Sequence, residues 1–219
     1  MNVLLVYAHQ EPTSFTCALK DTAEQALSAA GHHVEVSDLY GEGFNPVAGR
    51  HDFTTTHDAG RFHYQNEQGH AHANGGFAPD LAREQQRVLK ADLIIWIYPI
   101  WWGGVPAILK GWFDRVMAFG FAYADGKRFD SGYFRDKTGV LCLTTGGTVE
   151  RFSADNVYGP IDQVLYPTQH LMLDYLGMKF QPPFVAYAAP RIDAAGRTAY
   201  LQQWRDRVIE IAADRRSAA

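Results

Sequence analysis

The chain has 219 residues, 47% of them apolar, which is enough for one α/β domain with a full core and excludes a disordered polymer. Its formal net charge is −4, without a long basic run, which argues against nucleic acid as a partner. No apolar run is long enough to span a bilayer, no charged leader precedes the first strand, and the two cysteines, Cys17 and Cys142, suggest no disulfide framework, so a reduced, cytoplasmic protein without membrane insertion is expected.

VLLVYAH (3–9) is a continuous apolar run and predicts a strand buried on both faces. Thr13 or Ser14 caps a helix that runs to about Ala30, where Gly31 stops it. HVEVSDLY (33–40) alternates and is a second strand. Residues 82–91 have the spacing of an amphipathic helix, DLIIWIYP (92–99) is a third strand, and Val105–Met117 is the next helix. TGVLCLTT (138–145) is a fourth strand, and Pro160–Leu176 a helix bent or restarted at Pro167. FVAYAA (184–189) is a fifth strand and Ala194–Ala213 the final helix.

This alternation predicts an α/β, doubly wound, five-stranded parallel sheet in the flavodoxin-like order 2-1-3-4-5. Residues 41–79 break the pattern and read as a long ordered insertion after the second strand, covering one edge of the sheet. No repeat or linker marks a second domain, so residues 1–219 are expected to form one.

Ligands in such sheets bind at the carboxyl ends of the strands. Those ends carry HQEPTSFT (9–16), PIWWGG (99–104) and TTGGTV (144–149). Neither a dinucleotide fingerprint nor a P-loop is present. Thr13, Ser14 and Thr16 at a helix start either cap the helix or, with free N–H groups and His9, form an anion site. Thr144, Thr145, Gly146 and Gly147 are either an ordinary turn or backbone that approaches a flat ring. Their pairing with Trp101 and Trp102 favours the ring, because a flavin needs an apolar wall, close backbone and a few fixed donors.

The stretch YPIWWGGVPAILKGWFDRV (98–116) closely resembles the signature of the flavin-dependent NAD(P)H:quinone oxidoreductases of the DT-diaphorase type. AHQEPTSF (8–15), SDLY (37–40), FNP (44–46), GFAY (120–123), TTGG (144–147) and PTQH (167–170) match the same family in order. The resemblance implies FAD, in preference to FMN, at each of two sites in a homodimer. It implies NADH or NADPH as donor, a small quinone-like acceptor, and hydride transfer through flavin N5 in a ping-pong cycle. Carried over by position, His9, Ser14, Phe15, Thr16 and Cys17 would hold the pyrophosphate, and Pro99, Ile100, Trp101, Trp102 and Gly103 would pack on the ring system. Thr144, Thr145, Gly146 and Gly147 would bond its pyrimidine side, Arg197 and Leu201 would hold the adenine, and His63 would reach the flavin from the insertion. Trp102, Tyr123 and Phe152 would line the substrate pocket, Tyr123 from the partner subunit.

The sequence departs from this pattern in three places. Phe152 and Tyr158 stand where the family has a Tyr and a His that face the negative edge of the reduced flavin, so the catalytic set becomes Tyr158, Gly146 and Gly147. By the resemblance, a short form without the C-terminal extension of the mammalian members is expected. Asp125 and Arg128 make the pocket rim more polar, which also admits a broad nitro- or azo-reductase. A non-enzymatic flavoprotein, either an electron carrier or an ancillary subunit of a potassium-efflux system, is the other alternative, although the mild net charge argues against a carrier with an acidic face. His51, His57, His63, His70 and His72 crowd the insertion without zinc spacing, and His170 is followed four residues on by Asp174, so no metal is expected.

Overall fold

The computed structural model describes residues 1–217; the last two residues of the expected domain lie outside the described residues. Strands β1 (Asn2–Tyr7), β2 (His33–Asp38), β3 (Leu93–Pro99), β4 (Thr138–Thr144), β5 (Lys179–Phe180) and β6 (Phe184–Ala186) form one parallel sheet. Its order is β2-β1-β3-β4-β5, with β6 also on β4, so the expected order holds but the sheet has six strands instead of five. The fifth position is split because Pro182 and Pro183 lie between its two pieces, and proline cannot donate to a ladder. The first piece, β5, begins five residues before the expected strand.

Helices α1 (Phe15–Ala29) and α6 (Ala194–Ser217) cover one face of the sheet. Val3, Leu5 and Ile95 pack there against Leu19 and Trp204, whose indole donates to the Leu19 carbonyl at 3.0 Å. Helices α3 (Pro79–Lys90), α4 (Ala107–Val116) and α5 (Ile161–Thr168) cover the other face, over Leu4, Val6 and Trp96. The expected 160–176 helix does change at Pro167: α5 ends at Thr168, and a wider and then a tighter helical turn carry the chain to Leu176.

The insertion differs from expectation in two ways. It contains a helix, α2 (Tyr64–Asn74), and it packs onto α4 instead of covering a sheet edge. Buried Arg115 of α4 holds it, donating to Asp52 at 2.9 and 2.7 Å and to the carbonyl of Asn45. Tyr64 donates to the same Asp52 at 2.5 Å. Gly111 of α4 allows this approach, since a Cβ there would lie 2.2 Å from the Pro46 carbonyl oxygen. Buried Glu67 of α2 accepts the backbone N–H groups of His57 and Asp58, which fixes the middle of the insertion.

Candidate active site

The parallel register brings three strand ends together. Tyr7 of β1 lies beside Ile97 of β3, and Pro99 beside Thr144 of β4. Beyond Pro99 the chain makes a two-residue turn. Trp101 and Gly104 exchange both backbone hydrogen bonds at 3.0 Å, while Trp102 and Gly103 between them have φ of 51° and 72°. Left-handed backbone is natural for glycine and strained for tryptophan. The Trp102 side chain is fully exposed, at 106% of its reference area, so no packing within the chain explains the strain.

Opposite this corner stands the loop after β4. Thr145 donates its hydroxyl to the Gly147 carbonyl at 2.7 Å, and the Ala188 N–H donates to the same carbonyl at 2.8 Å. Arg191 donates to the Gly146 carbonyl. Both glycine carbonyls are therefore occupied inside the protein. Among the described residues the N–H groups of Gly146 and Gly147 have no acceptor, although Gly147 is buried. Buried backbone donors left unpaired are rare and suit an anionic or carbonyl oxygen from a ligand.

The two loops border a cleft of about 510 Å³ that brings together Ile100, Trp102, Gly103, Thr145, Gly146, Gly147, Phe152 and Tyr158, all singled out from the sequence. Three further residues line it that were not: Arg151, Val164 and Arg191. Arg191 follows β6, and a basic residue just past a strand's carboxyl end was the available signal. Phe152 and Tyr158 stack as a tilted pair with ring centroids 5.0 Å apart. Among the described residues the Tyr158 hydroxyl has no hydrogen-bond partner.

The first loop adjoins this cleft. Thr16 is hydrogen-bonded to Thr144 through their hydroxyls at 3.0 Å, and the His9 ring lies 6.2 Å from that of Trp101. Burial pulls the His9 pKa below the ordinary imidazole value. Its Nδ1 accepts the Glu11 N–H at 3.0 Å, which leaves the proton of the neutral ring on Nε2 as a donor. Ser14 caps α1 by accepting the Cys17 N–H at 3.1 Å, and Thr13 donates to Glu11 at 2.7 Å. Those two hydroxyls therefore serve the loop itself. Cys17 is buried and Phe15 packs on Tyr200.

Four further predicted residues lie away from both the cleft and the loops that border it. His63 caps α2 through the Asn66 N–H, and Tyr123 packs between Phe119 and Tyr175. Leu201 lines a separate groove of about 420 Å³ between α1 and α6, with Thr22 and Thr198. Arg197 is exposed on the first turn of α6. Among the described residues there is no group of three metal-ligating side chains, and no helix long and apolar enough to cross a membrane.

A family model described as flavodoxin-like fold matches residues 1–208. The chain is 39% identical over 206 residues to the NAD(P)H dehydrogenase [quinone] 1 of Rattus norvegicus, covering 94% of this chain and 75% of the rat protein. It is 40% identical over 207 residues to the ribosyldihydronicotinamide dehydrogenase [quinone] of Homo sapiens, covering 94% of this chain and 90% of the human protein. Among solved structures, a candidate quinone reductase from Klebsiella pneumoniae superimposes with a TM-score of 0.93 at 37% identity, covering 96% of this chain and 85% of that one. With the strand order, the unpaired glycine donors and the tryptophan corner all in one crevice, the chain belongs to the flavodoxin-like family that includes these NAD(P)H:quinone oxidoreductases.

Proposed function

We propose that this protein is a homodimeric FAD enzyme that transfers two electrons from NAD(P)H to a quinone: NAD(P)H, a proton and the quinone give NAD(P)⁺ and the hydroquinone. The observation that carries the reading is Trp102, an indole held in strained backbone, wholly outside the core, facing two unpaired backbone donors across a cleft. Strain of this kind is retained where a ligand needs it.

The residues fit a flavin. A Cβ added at Gly103, Gly104 or Gly146 would meet nothing within 4 Å, so the backbone edge of the cleft is open to a flat ring. Ile100, Trp102 and Phe152 offer it apolar surface, and Gly146 and Gly147 offer N–H donors. The N–H groups of Phe15 and Thr16 at the start of α1, which have no partner within the helix, suit a diphosphate. The groove at Leu201 suits an adenine and favours FAD over FMN. Bound there, FAD supplies hydride acceptance and two-electron delivery.

The chain's own part is orientation and charge. The Gly147 N–H shares its peptide plane with the Gly146 carbonyl, which is bonded to Arg191, and the Gly146 N–H shares its plane with the Thr145 carbonyl, which accepts the Ala189 N–H at 2.9 Å, so both need no reorganisation to face a developing negative charge. Tyr158 contributes a hydroxyl at the same cleft. Tyr123 completes the site from the second subunit, which accords with the large aromatics left exposed on one chain, Trp102 and Tyr166 among them.

The test is direct. Purified protein should be yellow, the extracted cofactor should have the mass of FAD, and NADH or NADPH should bleach it within seconds, with reoxidation by added quinone. Protein that binds no flavin after incubation with FAD, or whose flavin is not bleached by either nucleotide, would refute the reading.

A further inference from the structure

The cleft carries a charge pattern that the family resemblance did not supply. The chain has more acidic than basic residues, 24 against 20, yet the cleft is lined by two arginines, Arg151 and Arg191, and by no carboxylate. Other arginines of the chain are matched with acids: Arg115 with Asp52, and Arg87 with Glu35, Glu42 and Glu84. Among the described residues, neither Arg151 nor Arg191 is in an ion pair. The nearest acid in sequence, Glu150, accepts a hydrogen bond from Thr148, which holds its carboxyl below the usual range, and it does not line the cleft.

Both arginines sit on backbone fixed to the site. The Arg191 N–H donates to the Ala188 carbonyl at 2.7 Å, and Ala188 and Ala189 are bonded to Gly147 and Thr145 at 2.8 and 2.9 Å. One guanidinium N–H goes to the Gly146 carbonyl; a guanidinium has five, in a fork that matches a planar oxyanion. Arg151 lies in the short helical turn Val149–Phe152, tied by its N–H to the Thr148 carbonyl and by its carbonyl to the Tyr158 N–H, each at 3.1 Å.

We propose that this cation pair selects acceptors that carry an anionic substituent, a carboxylate or sulfonate on the quinone ring, over neutral quinones. The proposal rests on the quinone-reducing reading above. Two exposed cations without competing carboxylates give roughly a two- to thirtyfold preference in kcat/KM, and salt reduces it.

The experiment compares naphthoquinone with naphthoquinone sulfonate on the FAD-loaded protein, and reads the ratio of their kcat/KM values in the parent and in variants. Because the sulfonate also changes the quinone's own reactivity, only the change of ratio between proteins is used. Arg151→Gln and Arg191→Gln should each lower the ratio roughly two- to fivefold, and Arg191→Lys, which keeps the charge, should largely preserve it. A second arm needs no turnover: naphthalene sulfonate should quench tryptophan fluorescence at lower concentration than naphthalene sulfonamide, and Arg151→Gln should narrow the gap. Ratios that neither glutamine variant changes, or equal binding of the two naphthalenes, would overturn the proposal. A drop confined to the NADPH-to-NADH ratio would overturn it too, by giving the arginines to the donor's phosphate. If neither quinone is reduced but the sulfonate still binds better, the functional reading fails and the anion preference stands.

Discussion

Replacing Trp102 by asparagine should make the empty protein more stable and its ligand affinity weaker. Trp102 and Gly103 are the central residues of a tight turn in which both have positive φ, a geometry that prefers Asn-Gly. Left-handed backbone costs an ordinary residue about 1–2 kcal/mol, and asparagine relieves roughly 1 kcal/mol of this. Nothing is lost in exchange, because the indole touches solvent on all sides. For a chain of this size, that gain should raise the melting temperature by roughly 2–4 °C. The opposite sign is expected once flavin is present. An indole wall covering about 100 Å² of ring surface contributes about 2.5 kcal/mol, so its loss should weaken flavin binding roughly seventyfold. Calorimetry on flavin-stripped protein and fluorescence titration with FAD measure the two effects separately. A stripped Trp102→Asn protein that melts below the parent would refute the strain argument. A flavin affinity equal to that of the parent would refute the wall.

Tyr158→Phe should slow flavin reduction in stopped flow by roughly ten- to a hundredfold while FAD stays bound, since a hydrogen bond to a charged group contributes about 1.5–3 kcal/mol; an unchanged rate would leave the glycine N–H groups as the stabiliser and remove Tyr158 from the catalytic set. Sedimentation at micromolar concentration should find a two-chain particle, and a fully active monomer would contradict a site completed by Tyr123 of a second subunit. Glu67 is held below the usual carboxylate range chiefly by the His57 N–H, helped by that of Asp58 and by Arg50. Its stabilisation is therefore complete above the ordinary glutamate pKa and is lost as pH falls through the lowered value. Glu67→Gln should flatten the acid limb of melting temperature against pH, and superimposable limbs in the two proteins would show that Glu67 does not anchor the insertion.

The parallel core was legible because its strands are buried on both faces: the continuous runs of β1, β3 and β4 allow no other reading at their length. Helix α2 was not legible, because its buried face consists of Glu67, Gln68 and Ala71. A helix that buries polar groups against backbone donors and acceptors leaves no apolar period to find. Its anchors lie far away in sequence. Gln68 bonds to the Asp114 carbonyl and the Phe119 N–H, and Arg115 reaches back to Asp52. Such pairings come from tertiary contact, and they moved the insertion from the expected sheet edge onto α4.

The site divides in the same way. Glycines and tryptophans at strand ends announce themselves, since each is costly where it stands unless a ligand uses it. Charges do not. Arg191 has in the sequence only its place past the end of a strand to mark it, and the zipper of Ala188 and Ala189 onto the Thr145–Gly147 loop brings it to the Gly146 carbonyl. Its position answers the difficulty raised by Phe152 and Tyr158. On the proposed function the cleft faces negative charge; it has no histidine where the family pattern has one, but Arg191 brings a permanent cation from a different loop. Guanidinium stays charged at every working pH, whereas a histidine would titrate near neutrality. If Arg191 takes over that electrostatic role, the pH profile of flavin reduction should therefore lack a transition near the imidazole pKa, and a break there would return the role to an ionisable group.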